Sequence, residues 1–297
     1  MTSLPIIGLC LKPVRRVDLP VRPHPDGGHL REEECVYTAN PADLAALHWA
    51  MALREQAYVG KARVIAWSLS PRAGEEILRF AVACGVDEAN RIWLRDGEEE
   101  GRNAPWLQAT RIHAHLLGEA IRSHAPRLVI TGDRSRDHGS EGFGAFLAHE
   151  LGAAFARRAV TIERQGTHWR VQARVAQGYR QTLDLTEPAV LTVPHQGTHP
   201  PDPSLPQWIK SRKARIPVTL VDLPNMEPPQ ATLRPPLPRV KLRSDLPTQS
   251  GAEDRISNLI FQDADREGVV MREGGPALQA EAIMTLLREQ GYLEKSK

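Results

Sequence analysis

Between Ile6 and Gly152 a short apolar run is followed four times by a segment whose apolar residues recur at helical spacing. That alternation narrows the choice of fold more than any other feature of the chain. IIGLCLKP, from Ile6 to Pro13, is apolar and bounded by proline, the pattern of a strand buried on both faces. After a loop rich in Pro, Gly and charge (Arg15 to Glu34), Asn40 precedes Pro41 at a first helical position, with Asp43 in the first turn and a helix to about Gln56. VIAWSLS (Val64 to Ser70) leads into a segment with Ile77, Leu78, Ala81 and Val82 on one side, stopped by Gly85. RIWLRD (Arg91 to Asp96) leads into a helix predicted over Trp106 to His124, with Leu107, Ile112, Leu116, Leu117 and Ile121 together. RLVITG (Arg127 to Gly132) passes through the polar loop DRSRDHG into a helix opened by Ser140 and closed by Gly152. Parallel strands need long crossovers, so this order predicts an α/β fold, a doubly wound and mainly parallel sheet covered by helices.

The pattern then changes. HWRVQARVA and YRQTLDL alternate in polarity around Gly178, a period-two hairpin, and AVLTVP (Ala189 to Pro194) is again apolar, which predicts an antiparallel edge to the sheet. Most of the 24 prolines come late, and between Pro224 and Pro247 they recur too often for helix or central strand. The predicted organisation is an α/β domain over residues 1–194, a loop and extended proline-rich arm over 195–250, and a helical tail over 251–297. The tail carries a short helix at Asp254 to Ala264 and a clearer one at Pro276 to Gln290, with Leu278, Ile283, Leu286 and Leu287 on one face.

Several functions are excluded. The net charge is +2 and the basic residues are interleaved with acids, so no patch neutralises many phosphates and no nucleic-acid partner is expected. No apolar run approaches bilayer length, and Met1 to Pro5 lacks a secretory signature, so the chain is expected to be cytoplasmic and not membrane-embedded. Cys10, Cys35 and Cys84 are too widely spaced for a disulfide framework or a zinc site and read as reduced thiols. His113, His115 and His124 share a helix without sharing a face and read as surface residues, while His195 and His199 have no cysteine or acid at ligand spacing. No G-x-S-x-G elbow accompanies Ser68 or Ser70. KSRKAR reads as a solvated or subunit-facing stretch, and Trp49, Trp67, Trp93 and Trp106 as core.

In a doubly wound sheet, ligands sit beyond the carboxyl ends of the strands where strand order reverses. The loops at Cys10 to Val14, Asn40 to Asp43, Leu69 to Arg72 and Gly132 to Ser140 therefore qualify. The last joins a strand to a helix N-terminus through Gly132, Gly139 and Ser140, where free amides and the helix dipole favour an anion. Gly142 and Gly144 would let a ligand approach the first turn closely, and Arg134 and Arg136 offer bidentate contacts to phosphate. Asp137 suits an adenosine hydroxyl or a loop amide. Spacing leaves an ordinary loop with solvated charges equally open, because G-x-x-G-x-G is not the dinucleotide fingerprint.

The pieces CLKPV, ANPAD, WSLSP ahead of EEILRFAVACGVDEANRI, RLVITGDRSRDHGSEGFGAFLAHELG, PAVLTVP and SLPQWIKSRKARIPV, in this order and spacing, resemble the beta subunit of electron-transfer flavoproteins over roughly the first 220 residues. The resemblance implies a fold similar to the adenine-nucleotide hydrolases, with AMP, or in bifurcating members a second FAD, bound to the beta chain. It also implies an alpha-subunit partner in a heterodimer that holds most of the redox-active FAD. Electrons would come from a dehydrogenase and pass to a quinone reductase or another acceptor. By position, the implied nucleotide contacts are Cys10 through its backbone, Asn40, Pro41, Ala42, Asp43, Leu69, and Gly132 through Ser140, that is Asp133, Arg134, Ser135, Arg136, Asp137, His138 and Gly139 between them.

Departures are local. Arg134 replaces a family glutamine, Arg136 an isoleucine, His138 and Gly139 a Gly-Asp pair, and Glu141 a small residue. The segment Pro194 to Asp202 lacks the apolar anchor with which the family's docking loop engages dehydrogenases, which points away from a typical acyl-CoA partner. On this resemblance no catalytic side chain is demanded. The alternatives are an adenine-nucleotide-binding hydrolase, which would want a Ser-Gly-Gly-x-Asp-Ser loop that CLKPVRR does not offer, and a non-redox assembly subunit of the same fold.

Overall fold

The computed structural model describes residues 4–16, 18–20, 22, 31, 34–58, 61–95, 109–195, 200, 202–222 and 275–289. It divides the chain into two compact units, Met1–Thr232 and Leu233–Lys297. In the first unit the apolar runs become strands β1 (Ile6–Cys10), β4 (Arg63–Leu69), β5 (Glu88–Leu94), β6 (Leu128–Gly132) and β11 (Ala189–Val193), joined by α1 (Pro41–Tyr58), α2 (Glu75–Ala83), α3 (Thr110–Arg122) and α4 (Phe143–Leu151). With β7 (Ala154–Ala156) and β12 (Val218–Val221) they form a seven-stranded sheet in the order β12-β5-β4-β1-β6-β11-β7. Every pairing in it is parallel.

The runs are apolar throughout because each strand feeds two cores. Ile7, Leu9, Val64, Ala66, Leu128, Ile130, Leu191 and Val193 pack with α1 and α2 on one face. The residues between them, Cys10, Ile65, Trp67, Val129 and Val190, pack with α3 and α4 on the other. Gly8 belongs to the second face, where a Cβ would stand 3.1 Å from Val129 and 3.2 Å from Trp67, so the missing side chain makes room for the indole.

The antiparallel component is present, but it is not an edge of this sheet. β8 (Ala159–Gln165), β9 (His168–Arg174) and β10 (Arg180–Thr186) form a sheet of their own, and AVLTVP enters the main sheet as the parallel strand β11. Ile162, Trp169, Val171 and Leu185 bury one face of the small sheet in the core around α1. Beyond residue 194, α5 (Leu205–Lys213) packs on α2, and β12 pairs with β5 at the sheet edge. A short pair, β2 (Pro13–Arg15) with β3 (Tyr37–Ala39), holds the segment after β1 against the entry to α1.

In the second unit, α6 (Pro276–Glu289) matches the predicted helix and buries none of its side chains. The proline-rich stretch from Pro224 to Pro247, the helix expected at Asp254 to Ala264, Trp106, and residues 196–199 of the expected docking loop lie outside the described residues. Trp67 is fully in the core, whereas Trp49 and Trp93 are only partly buried.

Candidate functional site

Strand order reverses between β1 and β6. The chain proceeds from β1 outward through β4 and β5, then returns by α3 to place β6 on the other side of β1. At the carboxyl ends of these two strands lies a hollow of about 640 Å³, counting its open mouth. Its apolar wall comes from Cys10, Leu11, Leu69, Leu117 and Phe143, and its polar wall from Lys12, Asn40, Thr110, Arg134, His138 and Ser140 among others.

The frame of the site is made of backbone contacts that only close packing permits. Asp43, in the first turn of α1, accepts the Lys12 amide on Oδ2 (2.7 Å) and the Gly132 amide on Oδ1 (2.9 Å), so one carboxylate ties together the ends of β1 and β6. Gly132 must lack a side chain, because a Cβ there would overlap the Asp43 carboxylate and stand 2.7 Å from Ala42 Cβ. Burial pushes the Asp43 carboxyl up to about 6, against hydrogen bonds from the Lys12 amide, Asn40 and the Gly132 amide and the charge of Lys12. Asn40, 3% exposed, donates Nδ2–H to the Arg134 carbonyl (3.0 Å) and accepts the Arg136 amide on Oδ1 (3.1 Å), which fixes the β6–α4 loop over the start of α1. Pro41 and Ala42 open that helix, so their part is to bring α1 close to Gly132.

Within this frame Lys12 Nζ lies 2.7 Å from Asp137 Oδ1, 3.0 Å from His138 Nδ1 and 3.4 Å from Ser135 Oγ. His138 Nδ1 also lies 3.2 Å from Asp137 Oδ2, so this ring nitrogen sits beside both the ammonium and the carboxylate. Burial pushes the Asp137 carboxyl up, but hydrogen bonds from His138, Lys12 and Ser135 and the Lys12 charge outweigh it and hold the group well below the usual carboxylate range. Asp137 also accepts the adjacent His138 amide (2.7 Å), so it shapes the loop, one of the two uses its sequence position offered. Arg134 lines the hollow and is solvent-exposed. Gly139 takes a left-handed φ of 65° where its amide returns to the Ser135 carbonyl (2.9 Å). Burial pushes the Cys10 thiol far up, with the Asp43 charge adding to it, so Cys10 offers neutral surface and backbone rather than a thiolate.

Helix α4 begins at Phe143, not at Ser140, and no side chain caps its N-terminus. Ser140 Oγ instead accepts from Thr110 Oγ1 (2.9 Å) at the start of α3. Gly144 serves packing rather than ligand approach, since a Cβ there would overlap Thr192 of β11 and lie 3.1 Å from Phe155. Asp133 turns away from the hollow toward Arg158 Nε (3.3 Å), and the Arg136 side chain is exposed and does not line the hollow. The hollow thus brings together Cys10, Asn40, Asp43, Leu69, Gly132, Arg134, Ser135, His138 and Ser140. It adds Lys12, Thr110, His113, Leu117, Thr131 and Phe143, which sequence reasoning did not name as ligand contacts. Of these, Lys12 sat in the quoted loop after the first strand and was the legible one. His113 corrects a surface reading, and His124 lies edge-on to Trp67 at 5.2 Å.

Among the described residues no group of His, Cys, Asp and Glu has the makings of a metal site, and no helix is long and apolar enough to cross a membrane. The electron transfer flavoprotein domain matches residues 28–223 of the chain. The electron transfer flavoprotein subunit beta of Bradyrhizobium diazoefficiens is 30% identical over 210 residues, covering 69% of this chain and 79% of the relative. The human protein of the same name is 28% identical over 198 residues, 67% of this chain and 74% of the relative. Protein FixA of Azorhizobium caulinodans is 27% identical over 195 residues, 63% and 65% of the two chains. With a hollow at the strand-order reversal, a nearby helix N-terminus that no side chain caps, and a domain match that covers the α/β unit from residue 28 to 223, the chain belongs to the electron transfer flavoprotein family, on its beta-subunit branch.

Proposed function

We propose that the chain is the beta-type subunit of a heterodimeric electron-transfer flavoprotein, and that it holds AMP or a second FAD in the hollow between β1 and β6. An alpha-type partner would carry most contacts to the redox-active FAD, with electrons arriving from a dehydrogenase and leaving to a quinone reductase or another acceptor. The observation that carries this reading is the composition of the hollow. Leu69, Leu117 and Phe143 offer apolar surface for a planar base, and Lys12, Arg134, Ser140 and the neighbouring start of α4 offer charge and donors for a phosphate.

The residues present fit an adenine nucleotide. Lys12 and Arg134 would meet its phosphate, and the Cys10 and Asn40 segments would lie along the nucleoside. Flavin, when bound, supplies the electron chemistry, and the protein supplies binding, orientation and electrostatics. The side chains of this chain then hold and orient, and none is required as acid, base or nucleophile, so we read it as a carrier subunit and not as a catalyst. Asp43 and Asn40 work through the backbone they pin, while Asp137 keeps Lys12 at the loop.

The test is to purify the chain alone and co-expressed with the product of its neighbouring gene, recording the visible spectrum and the nucleotide released on denaturation. A yellow complex that yields AMP, or FAD beyond one per heterodimer, is the expected result. A colourless complex without nucleotide would leave an assembly subunit as the better reading, and ATP turnover by the lone chain would favour the hydrolase.

A further inference from the structure

Arg158, between β7 and β8, is one of three non-glycine residues with a left-handed φ in the described structure, at 54°. Such a backbone is uncommon for a residue with a long side chain and directs attention to what holds it there. Its amide donates to Thr192 Oγ1 (3.0 Å) and its carbonyl accepts the Arg174 amide (2.9 Å), so β11 and β9 grip it from two sides. From that fixed point the guanidinium reaches Asp133 Oδ2 (3.3 Å) and Glu141 Oε1 (2.5 Å), and Arg157 Nη2 lies 2.9 Å from Glu141 Oε2.

The two carboxylates bracket the loop that carries Arg134 to Ser140. Asp133 follows β6 directly, and Glu141 precedes the N-cap residue of α4. A carboxylate at that position is attracted to the amides and positive dipole end of its own helix, the same features that would receive a phosphate. Glu141 nevertheless does not cap α4, and its two oxygens pair with Arg157 and Arg158 instead.

We propose that Arg158, seconded by Arg157, is a positioning residue of the nucleotide site, one that ties the two ends of the β6–α4 loop and withholds the Glu141 and Asp133 carboxylates from the place a phosphate takes. This rests on the nucleotide reading above and gives the departure at Glu141 a physical partner in the same chain.

The full chain and three variants, Arg158→Gln, Glu141→Gln and the double variant, decide it. Two quantities are read: AMP affinity by calorimetry at low and high salt, and hydrogen exchange of the Arg136 and Gly139 amides without nucleotide. R158Q should weaken AMP binding by about tenfold, the scale of one hydrogen bond to a charged group, and should speed exchange of both amides. Adding E141Q should restore most of the affinity, which a merely structural role would not do. Wild-type behaviour of R158Q in both readouts, or no recovery in the double variant, overturns the proposal. If R158Q does not fold, E141Q alone decides: affinity held or raised supports the clamp, and affinity lost overturns it. A wild-type chain that binds neither AMP nor FAD sinks the nucleotide reading, while amide exchange in R158Q still reports whether Arg158 holds the loop.

Discussion

Asp43 places both carboxylate oxygens on the amides of Lys12 and Gly132, within a site where burial pushes its carboxyl up to about 6. The unfolded group titrates near 3.8, so between these values the native state binds the extra proton. Its contribution to stability is therefore present in full below 3.8 and lost as pH rises through about 6. The expected outcome is that wild type loses stability relative to Asp43→Asn across that window, measured as the difference in urea midpoints at a series of pH values. A flat difference would mean that the two amides keep the carboxyl near its ordinary value. In the sequence Asp43 reads as a helix-start acid and, by resemblance, as a nucleotide contact. That it clamps two strand ends depends on Gly132, 89 residues away, which no local pattern announces. Lys12 and Asp137, 125 residues apart, were legible as a basic and an acidic loop residue, yet their pairing was not.

Among the elements, α5 and β12 show where sequence patterns fall silent. The helix buries only Ser211, and three of the four residues of β12 are exposed, so neither has the apolar periodicity that reveals the strands feeding two cores. At the start of α5, Ser204 and Gln207 form a capping box, in which Gln207 Oε1 accepts the Ser204 amide at 2.7 Å. What holds α5 is a contact from another element. Arg79 of α2 donates Nη1–H to the carbonyls of Ser211 (3.1 Å), Arg212 (3.0 Å) and Ala214 (2.9 Å), closing the C-terminus of α5, and Phe80 packs on Trp208 with centroids 5.9 Å apart. Arg79→Ala should cost about 1–3 kcal/mol. It should raise hydrogen exchange in α5 and β12 while leaving β1 and β6 protected. Uniform loss of protection would show that the sheet edge and centre open together.

At the scale of the whole molecule, every buried apolar side chain described lies between Ile7 and Val221, inside the unit Met1–Thr232, and α6 buries none of its own. The doubly wound class follows from the linear chain alone, since apolar runs that serve two cores and alternate with amphipathic helices have few other ways to be covered. The carboxyl-end loops follow from the same pattern. Strand order does not, because any apolar run can pair with any other until helix faces and side-chain volumes select neighbours. Only the folded sheet sets β6 beside β1, and with it the meeting of Lys12 with Asp137, of Asp43 with Gly132, and of Arg158 with Glu141.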